Sequence, residues 1–421
     1  MDTSAFRIGK RQYIDKTFWI IFIVLVIVSI IALFSASSSL IRIATAQGHN
    51  PLYPIAAQIL YLLLGVALAY GIQFLPSWLF RFSGYALLGV GILFLMLNAA
   101  HIGVTINGAT RWIRIAGITI QSSEIAKIGL IIVVADLLAR INDKPSEKRY
   151  FLWVLGLTAF TCVLIMFSNL STALLLGGVI VIMLFLARVR WYWIVGILGT
   201  AVIMLIAGYF YVEKVYVKPG KEMSGVMGRA VTWVNRIDNK VKENKTDNSS
   251  IRINDENYQS TLARVAVARG GQSPLGVLPG NSLERNHLPL AYADYIFAII
   301  VEETGIIGAL ALCMLYLSIL FRACLTSSRY NDYSAQLMVM GLGLMITVQA
   351  LVSMAVAVGL GPVTGQPLPM ISKGGTSALI TSIYFGIMMG VSREQNQIHA
   401  QQEQTIIESQ ETVPDIETDE Q

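Results

Sequence analysis

Long apolar runs recur along the whole of this 421-residue chain and constrain its fold more than any other feature. A hydrocarbon core of roughly 30 Å calls for about 17–25 predominantly apolar residues per helical crossing. Ten segments meet that requirement: 17–36, 54–75, 79–99, 122–140, 151–168, 170–187, 191–213, 293–321, 334–358 and 375–391. Composition agrees, since 55% of the residues are hydrophobic and 14% charged, whereas a soluble domain carries about 25% charge. The expected fold is an all-α polytopic membrane protein: ten transmembrane helices with a large extracytoplasmic loop between helices 7 and 8. The first run is longer than a signal-peptide core and reads as a retained span.

Basic residues in short loops mark the cytoplasmic side. Arg7, Lys10, Arg11 and Lys16 precede the first span, and Arg81, Arg140, Lys144, Lys148, Arg149, Arg188, Arg190, Arg322 and Arg329 fall in the other loops on that side. The opposite short loops hold fewer, Arg42, Arg111, Arg114 and Lys373, and the long loop 214–292 lies outside this comparison because long loops translocate largely regardless of charge. Both termini are therefore expected in the cytoplasm. The chain divides into an N-terminal tail (1–16), a membrane domain (17–391, including the loop 214–292) and an acidic C-terminal tail (392–421) expected to be disordered. The net charge of +5 follows from the basic loops and gives no reason to expect nucleic acid. Cys162, Cys313 and Cys324 are too widely spaced for a zinc pattern or a disulfide framework.

The loop 214–292 has a charged middle with few large apolar residues, then a stretch rich in Gly and Pro that reads as ordered turns. In the piece 108–124, Trp112, Arg114 and Ala116 alternate with Ile113 and Ile115, which predicts a short β-hairpin at the membrane interface. Ser122 or Ser123 is the expected cap of the following helix.

Ionisable groups inside apolar spans face protein or a watery cavity. Glu124 and Lys127 share one helix face, either as a self-neutralised pair near a helix end or as a lining of such a cavity. Asp294 stands at the mouth of its span, where a helix dipole alone could favour it. Glu302 and Glu303 lie deeper and point apart, which predicts polar partners for them inside the bundle. Asp136, near the cytoplasmic end of its span, is assigned no role. The segment 359–379 holds three prolines and five glycines, so its backbone cannot be continuous helix. At membrane depth such backbone must be buried in protein or line water.

Three motifs, GATRWIRIAGITIQSSEIAK (108–127), GNSLERNHLPLAYADYIFAIIVEETGIIG (280–308) and PVTGQPLPMISKGG (362–375), occur in the order seen in the SEDS family of bacterial cell-wall proteins, represented by FtsW and RodA. The chain resembles that family over roughly residues 15–392. The SASSSL stretch after the first span and GNS before the LP motif are more similar to the FtsW division branch than to RodA. The resemblance implies a peptidoglycan glycosyltransferase that polymerises lipid II, a disaccharide-peptide on undecaprenyl diphosphate, at the outer face of the cytoplasmic membrane. It implies a divalent cation (Mg2+ or Mn2+) at the diphosphate and no organic cofactor. The implied partners are a class B penicillin-binding transpeptidase and FtsQ–FtsL–FtsB-type division proteins, with location at the septum.

Residue by residue, the resemblance puts Asp294 at the family's essential aspartate, Glu124 and Lys127 at its cavity pair, and Arg111 at the arginine before tryptophan. Arg229 matches a loop arginine, and Ser372, Gly374 and Gly375 match the SxGG turn. The chain departs from the family's pattern at Asn169 (where PDxGT is usual), Leu290 (LPEA), Ser353 (asparagine), Lys373 and Thr376 (SYGGS). These roles suit the chemistry. A sugar hydroxyl needs a base, which Asp294 can supply, and a departing diphosphate needs cations, for which Arg111, Lys127, Arg229 and Lys373 are candidates. Metal coordination by Asp294 is equally compatible. Many spans, intramembrane charges and broken helices also fit a lipid II flippase, but a transporter needs access from both faces and the distinctive polar motifs cluster on the outer one. A non-catalytic division scaffold is the remaining alternative.

Overall fold

The structure, a computed structural model, describes residues 14–37, 52–100, 102–106, 109–115, 118–142, 147–216, 231–235, 258–288, 291–328 and 332–411, with isolated positions at 41, 45, 48, 50, 228 and 238. It is mostly helical. Every one of the ten apolar segments is a helix: α1 (Lys16–Ala36), α2 (Tyr53–Ile72), α3 (Ser77–Ala99), α4 (Ser122–Ala139), α5 (Glu147–Met166), α6 (Leu170–Leu186), α7 (Trp191–Tyr216), α9 (Ile296–Ser327), α10 (Tyr333–Ala357) and α11 (Gly375–Glu411). Among the described residues, eight helices are long and apolar enough to cross a membrane. The other two are α4, which carries Glu124, Lys127 and Asp136, and α6, which has 17 residues. The chain is a multi-pass membrane protein.

Local chemistry sets several of the helix starts. Asp15 Oδ1 accepts from the Thr17 and Phe18 amides at 3.1 and 3.3 Å, opening α1. Asn169 Oδ1 accepts from the Thr172 amide at 3.3 Å, opening α6, and Asp332 Oδ1 accepts from the Ser334 amide at 3.0 Å, opening α10. Each satisfies an amide that the first turn leaves without a partner. Helix α4 differs from expectation. It starts at Ser122 with Gln121 at the cap position and no side-chain cap bond. Ser122 instead accepts from Asn98 Nδ2 at 2.7 Å, tying α4 to the end of α3.

The bundle is built around α4, whose residues from Ser122 to Leu138 are almost all buried, and α10 beside it. Close approach of α3 and α4 depends on small residues, because a Cβ on Gly91 or Gly129 would meet the backbone of Ala126 or Leu88. Such positions let membrane helices pack tightly where no hydrophobic force joins them. Enclosure by neighbouring helices is also why α4 tolerates three charges. By contrast α7 exposes Val195, Leu198, Val202, Ile203 and Phe210, the surface expected toward lipid.

Three elements depart from the sequence-based expectation. The hairpin is present but is part of a three-stranded antiparallel sheet, β1 (Val104–Ile106), β2 (Ala109–Ile115) and β3 (Ile118–Gln121), with Trp112 opposite both Val104 and Gln121. The loop before α9 holds a further helix, α8 (Tyr258–Gly270). The tail expected to be disordered from residue 392 continues α11 as helix to Glu411. Its Glu- and Gln-rich run has good helix propensity and no Gly or Pro to stop it.

At the end of the bundle where α1, α9 and α11 meet beside Asp15, a buried polar cluster ties the helices together. Arg322 Nη2 lies 2.7 Å from Asp15 Oδ2, which also accepts from Ser392 Oγ at 2.7 Å. The sheet and the functional motifs occupy the opposite end.

Candidate functional site

At the sheet end, three non-helical segments converge: the turn 291–295 before α9, the segment 358–374 between α10 and α11, and the break at 167–169 between α5 and α6. Asp294 lies in the first of these, two residues before α9, at the mouth of the span as expected, although the helix starts at Ile296 and not at 293. Tyr295 takes the cap position there. The carboxylate faces the second segment, where a Cβ on Gly365 would stand 3.8 Å from Asp294 Oδ2. Gly365 has φ +62°, a conformation that favours glycine.

The Gly/Pro segment is held by side chains that satisfy its backbone, as membrane burial demands. Gln349 Nε2 donates to the Pro367 carbonyl at 3.1 Å, Tyr316 Oη donates to the Pro369 carbonyl, and Ser29 Oγ donates to the Met370 carbonyl at 2.7 Å. Gln366 Nε2 donates to Thr172 Oγ1 at 2.6 Å, reaching the first turn of α6. Ser372 Oγ accepts from the Leu368 amide at 2.8 Å and donates to the Ala293 carbonyl at 2.5 Å. The Lys373 amide donates to the Tyr292 carbonyl at 2.9 Å. The residues flanking Ser372 are thus stitched to the residues just before Asp294.

Glu124 and Lys127 form a buried ion pair at 2.7 Å, with the lysine side chain only 1% exposed. Lys127 Nζ also donates to Gln349 Oε1 at 3.1 Å. A continuous hydrogen-bonded path therefore runs from Glu124 through Lys127 and Gln349 to Pro367, and from Leu368 through Ser372 to Ala293. Lys373 Nζ lies 5.2 Å from the centre of the Tyr292 ring, within cation–π range. Burial pushes the Lys373 ammonium down from its ordinary pKa. Burial, and after it the nearby Asp294 carboxylate, pushes the Tyr292 phenol up.

Of the candidate residues, Asp294, Glu124, Lys127, Ser372 and Lys373 come together in this way. Arg111 Nε donates to the Ser168 carbonyl at 2.9 Å and so braces the break between α5 and α6 from the sheet. Arg229 lies outside the described residues, as does Leu290. Among the described residues no three His, Cys, Asp or Glu side chains are grouped as a metal cage. Sequence reasoning missed Gln349, Gln366 and Thr172. An amide in the middle of the apolar run 334–358 was a legible signal for Gln349; the partners of Gln366 and Thr172 are set only by the tertiary fold.

Glu302 and Glu303 do find polar partners, and those partners reveal a different function from the path above. Glu302 accepts from Ser282 Oγ and, at 3.2 Å, from the Leu283 amide, with Arg269 Nη1 at 3.9 Å. Glu303 accepts from Ser35 Oγ of α1 and, at 3.1 Å, from the Gly280 amide. The loop is locked further where α9 kinks at Gly305, φ +67°. There the Val277 amide donates to the Glu302 carbonyl at 2.9 Å and the Ile307 amide to the Pro274 carbonyl at 3.2 Å. The two glutamates clamp the loop that leads into Asp294.

The comparisons with known proteins agree with this architecture. The family model of the cell cycle proteins FtsW, RodA and SpoVE matches residues 15–397. A probable peptidoglycan glycosyltransferase FtsW of Geobacter metallireducens is 30% identical over 372 residues, 86% of this chain and 90% of the relative. That of Nitrosococcus halophilus is 29% identical over 379 residues, 85% and 87% of the two chains. Among solved structures, a chain from work on polymerization and crosslinking by a peptidoglycan synthase complex superposes with a TM-score of 0.71 at 23% identity, covering 91% of this chain and 98% of that one. The rod shape determining protein RodA of Thermus thermophilus gives 0.60 at 21% identity, covering 91% and 97%. The convergence of the three motif-bearing segments at one end of the bundle and the match over residues 15–397 lead to one assignment: the chain belongs to the FtsW/RodA/SpoVE family of cell cycle proteins.

Proposed function

We propose that this protein is a peptidoglycan glycosyltransferase that polymerises lipid II into glycan strands at the outer face of the cytoplasmic membrane during septal wall synthesis. All ten apolar helices cross the bilayer, both termini are cytoplasmic, and the sheet end with the loop 214–292 lies outside. The observation that carries the reading is the hydrogen-bonded path that joins the Glu124–Lys127 pair to the turn bearing Asp294.

In the reaction, the Asp294 carboxylate takes the proton of the acceptor sugar hydroxyl. The hydroxyl oxygen then bonds to the anomeric carbon of the donor, and the bond from that carbon to the diphosphate oxygen breaks. The electron pair leaves with the undecaprenyl diphosphate. Lys127 and Lys373 offer positive charge to the leaving group, where low dielectric makes it effective. Arg111 steadies the Ser168 break beside them, and Arg229 joins the anion-binding set on the strength of its match to a family loop arginine. Ser372 fixes the backbone next to Asp294.

Magnesium commonly binds through one or two carboxylates together with substrate phosphates, not through an all-protein cage. One carboxylate at 294 with a diphosphate beside it fits that pattern, with Asp294 then serving as metal ligand in place of base. A divalent cation held there would neutralise charge on the departing diphosphate.

The family resemblance supports a class B penicillin-binding transpeptidase as partner, with FtsQ–FtsL–FtsB-type proteins in the same assembly. The test is polymerisation of purified lipid II with a divalent cation, with and without the transpeptidase, run beside a vesicle assay for lipid II translocation. Glycan formation supports the polymerase; translocation without glycan identifies a flippase instead.

A further inference from the structure

Gln349 is buried in the apolar helix α10 and joins two parts of the site. Its Oε1 accepts from Lys127 Nζ at 3.1 Å and its Nε2 donates to the Pro367 carbonyl at 3.1 Å. Neither partner allows the reverse arrangement, because an ammonium only donates and a proline carbonyl only accepts. The terminus between them must therefore hold one acceptor and one donor, which an amide supplies. An ionised carboxylate lacks the donor, an ammonium lacks the acceptor, and an alkyl chain lacks both. Beyond Pro367, Ser372 links the Leu368 amide to the Ala293 carbonyl, and the Lys373 amide reaches the Tyr292 carbonyl. A shift of Pro367 is thus passed to the backbone that carries Asp294. The same segment keeps independent anchors at Pro369 and Met370, supplied by Tyr316 and Ser29, so the fold does not depend on Gln349 alone.

We propose that Gln349 is a positioning residue. It couples the location of the Glu124–Lys127 pair to the turn 291–295 and so aims the Asp294 carboxylate at the acceptor hydroxyl. This role rests on the glycosyltransferase reading. Two variants separate it from simple neutralisation of Lys127. Gln349→Glu keeps an acceptor for Lys127 and strengthens that pair, but sets a carboxylate against the Pro367 carbonyl. Gln349→Met keeps the length and offers neither bond.

Steady-state polymerisation of lipid II by the full chain with its transpeptidase partner, and amide hydrogen exchange of the same proteins in lipid nanodiscs, test the proposal. Both variants should lower kcat by roughly 10²-fold, the scale of an approximately 1 Å misplacement. KM should stay within about twofold, because binding itself is not altered. The Leu368, Ser372 and Lys373 amides should exchange at least about tenfold faster than in the wild type. Wild-type kcat in Gln349→Glu, or wild-type exchange in that variant, overturns the proposal, since the residue would then serve only Lys127. If the wild type makes no glycan, the reaction assignment falls and exchange alone decides: faster exchange in both variants supports positioning, and unchanged exchange in either overturns it.

Discussion

The Glu124–Lys127 pair offers a quantitative test of how this site is held together. Both groups are buried, 2.7 Å apart, and the lysine is 1% exposed. Replacing Glu124 with leucine leaves a buried ammonium whose one remaining hydrogen-bond partner in the path is Gln349. Breaking a buried pair from one side costs about 3–5 kcal/mol, most of it from the uncompensated charge. One kcal/mol is worth about 2–4 °C in a domain of 150–250 residues and less in a longer chain. Glu124→Leu should therefore lower the unfolding midpoint by about 5–10 °C. Lys127→Met should cost a similar amount by stranding the carboxylate. The double variant removes both charges together, and such replacements are often neutral or stabilising. Its midpoint should lie within about 3 °C of the wild type, yet it should remain inactive because Lys127 no longer offers charge to the diphosphate. Intrinsic fluorescence during heating in detergent, alongside polymerisation of lipid II, reads both effects. A double variant as unstable as Glu124→Leu would refute the reasoning, since the loss would then come from packing and not from an unpaired charge.

Gly305→Ala should detach the loop from the kink in α9. Its Cβ would collide with the Gly276 amide and the Pro274 and Ser273 carbonyls, and the backbone at φ +67° and ψ −162° is essentially reserved for glycine, which adds about 1–3 kcal/mol for alanine; faster hydrogen exchange and proteolysis across 271–284 would report it. Lys373 provides a pH test. Burial lowers its pKa, so it loses charge as pH rises through a value below the ordinary 10.5, and anion binding weakens in that direction. The KM for lipid II should climb at alkaline pH in the wild type and stay flatter in Lys373→Arg, because a guanidinium keeps its proton.

Much of the fold was legible because membrane burial writes itself into long apolar runs, and each run is a helix. The site was partly legible for a related reason. Charges such as Glu124 and Lys127, and helix breakers such as Pro367 and Gly365, are costly at membrane depth and so stand out. What the pattern could not show were the tertiary partners. Asp294 stands at the mouth of its span, as its position suggests, but the Lys373 and Ser372 bonds to Tyr292 and Ala293 that hold its turn join segments far apart in sequence. Glu302 and Glu303 were read as polar contacts within the bundle; that their partners include loop amides at Leu283 and Gly280 depends on a docking that no local periodicity encodes. Helix α8 was hidden by its weakly apolar composition. The extension of α11 was masked by polarity, which a solvent-exposed helix shares with a disordered tail.

The central claim is that Asp294 acts in glycan polymerisation at the sheet end of the bundle. It is tested most directly by comparing wild type and Asp294→Ala on purified lipid II, with divalent cation and the transpeptidase partner present, and with thermal unfolding recorded on the same samples. The account predicts glycan strands from the wild type and none from Asp294→Ala at an unchanged unfolding midpoint. Wild-type polymerisation by Asp294→Ala would contradict it.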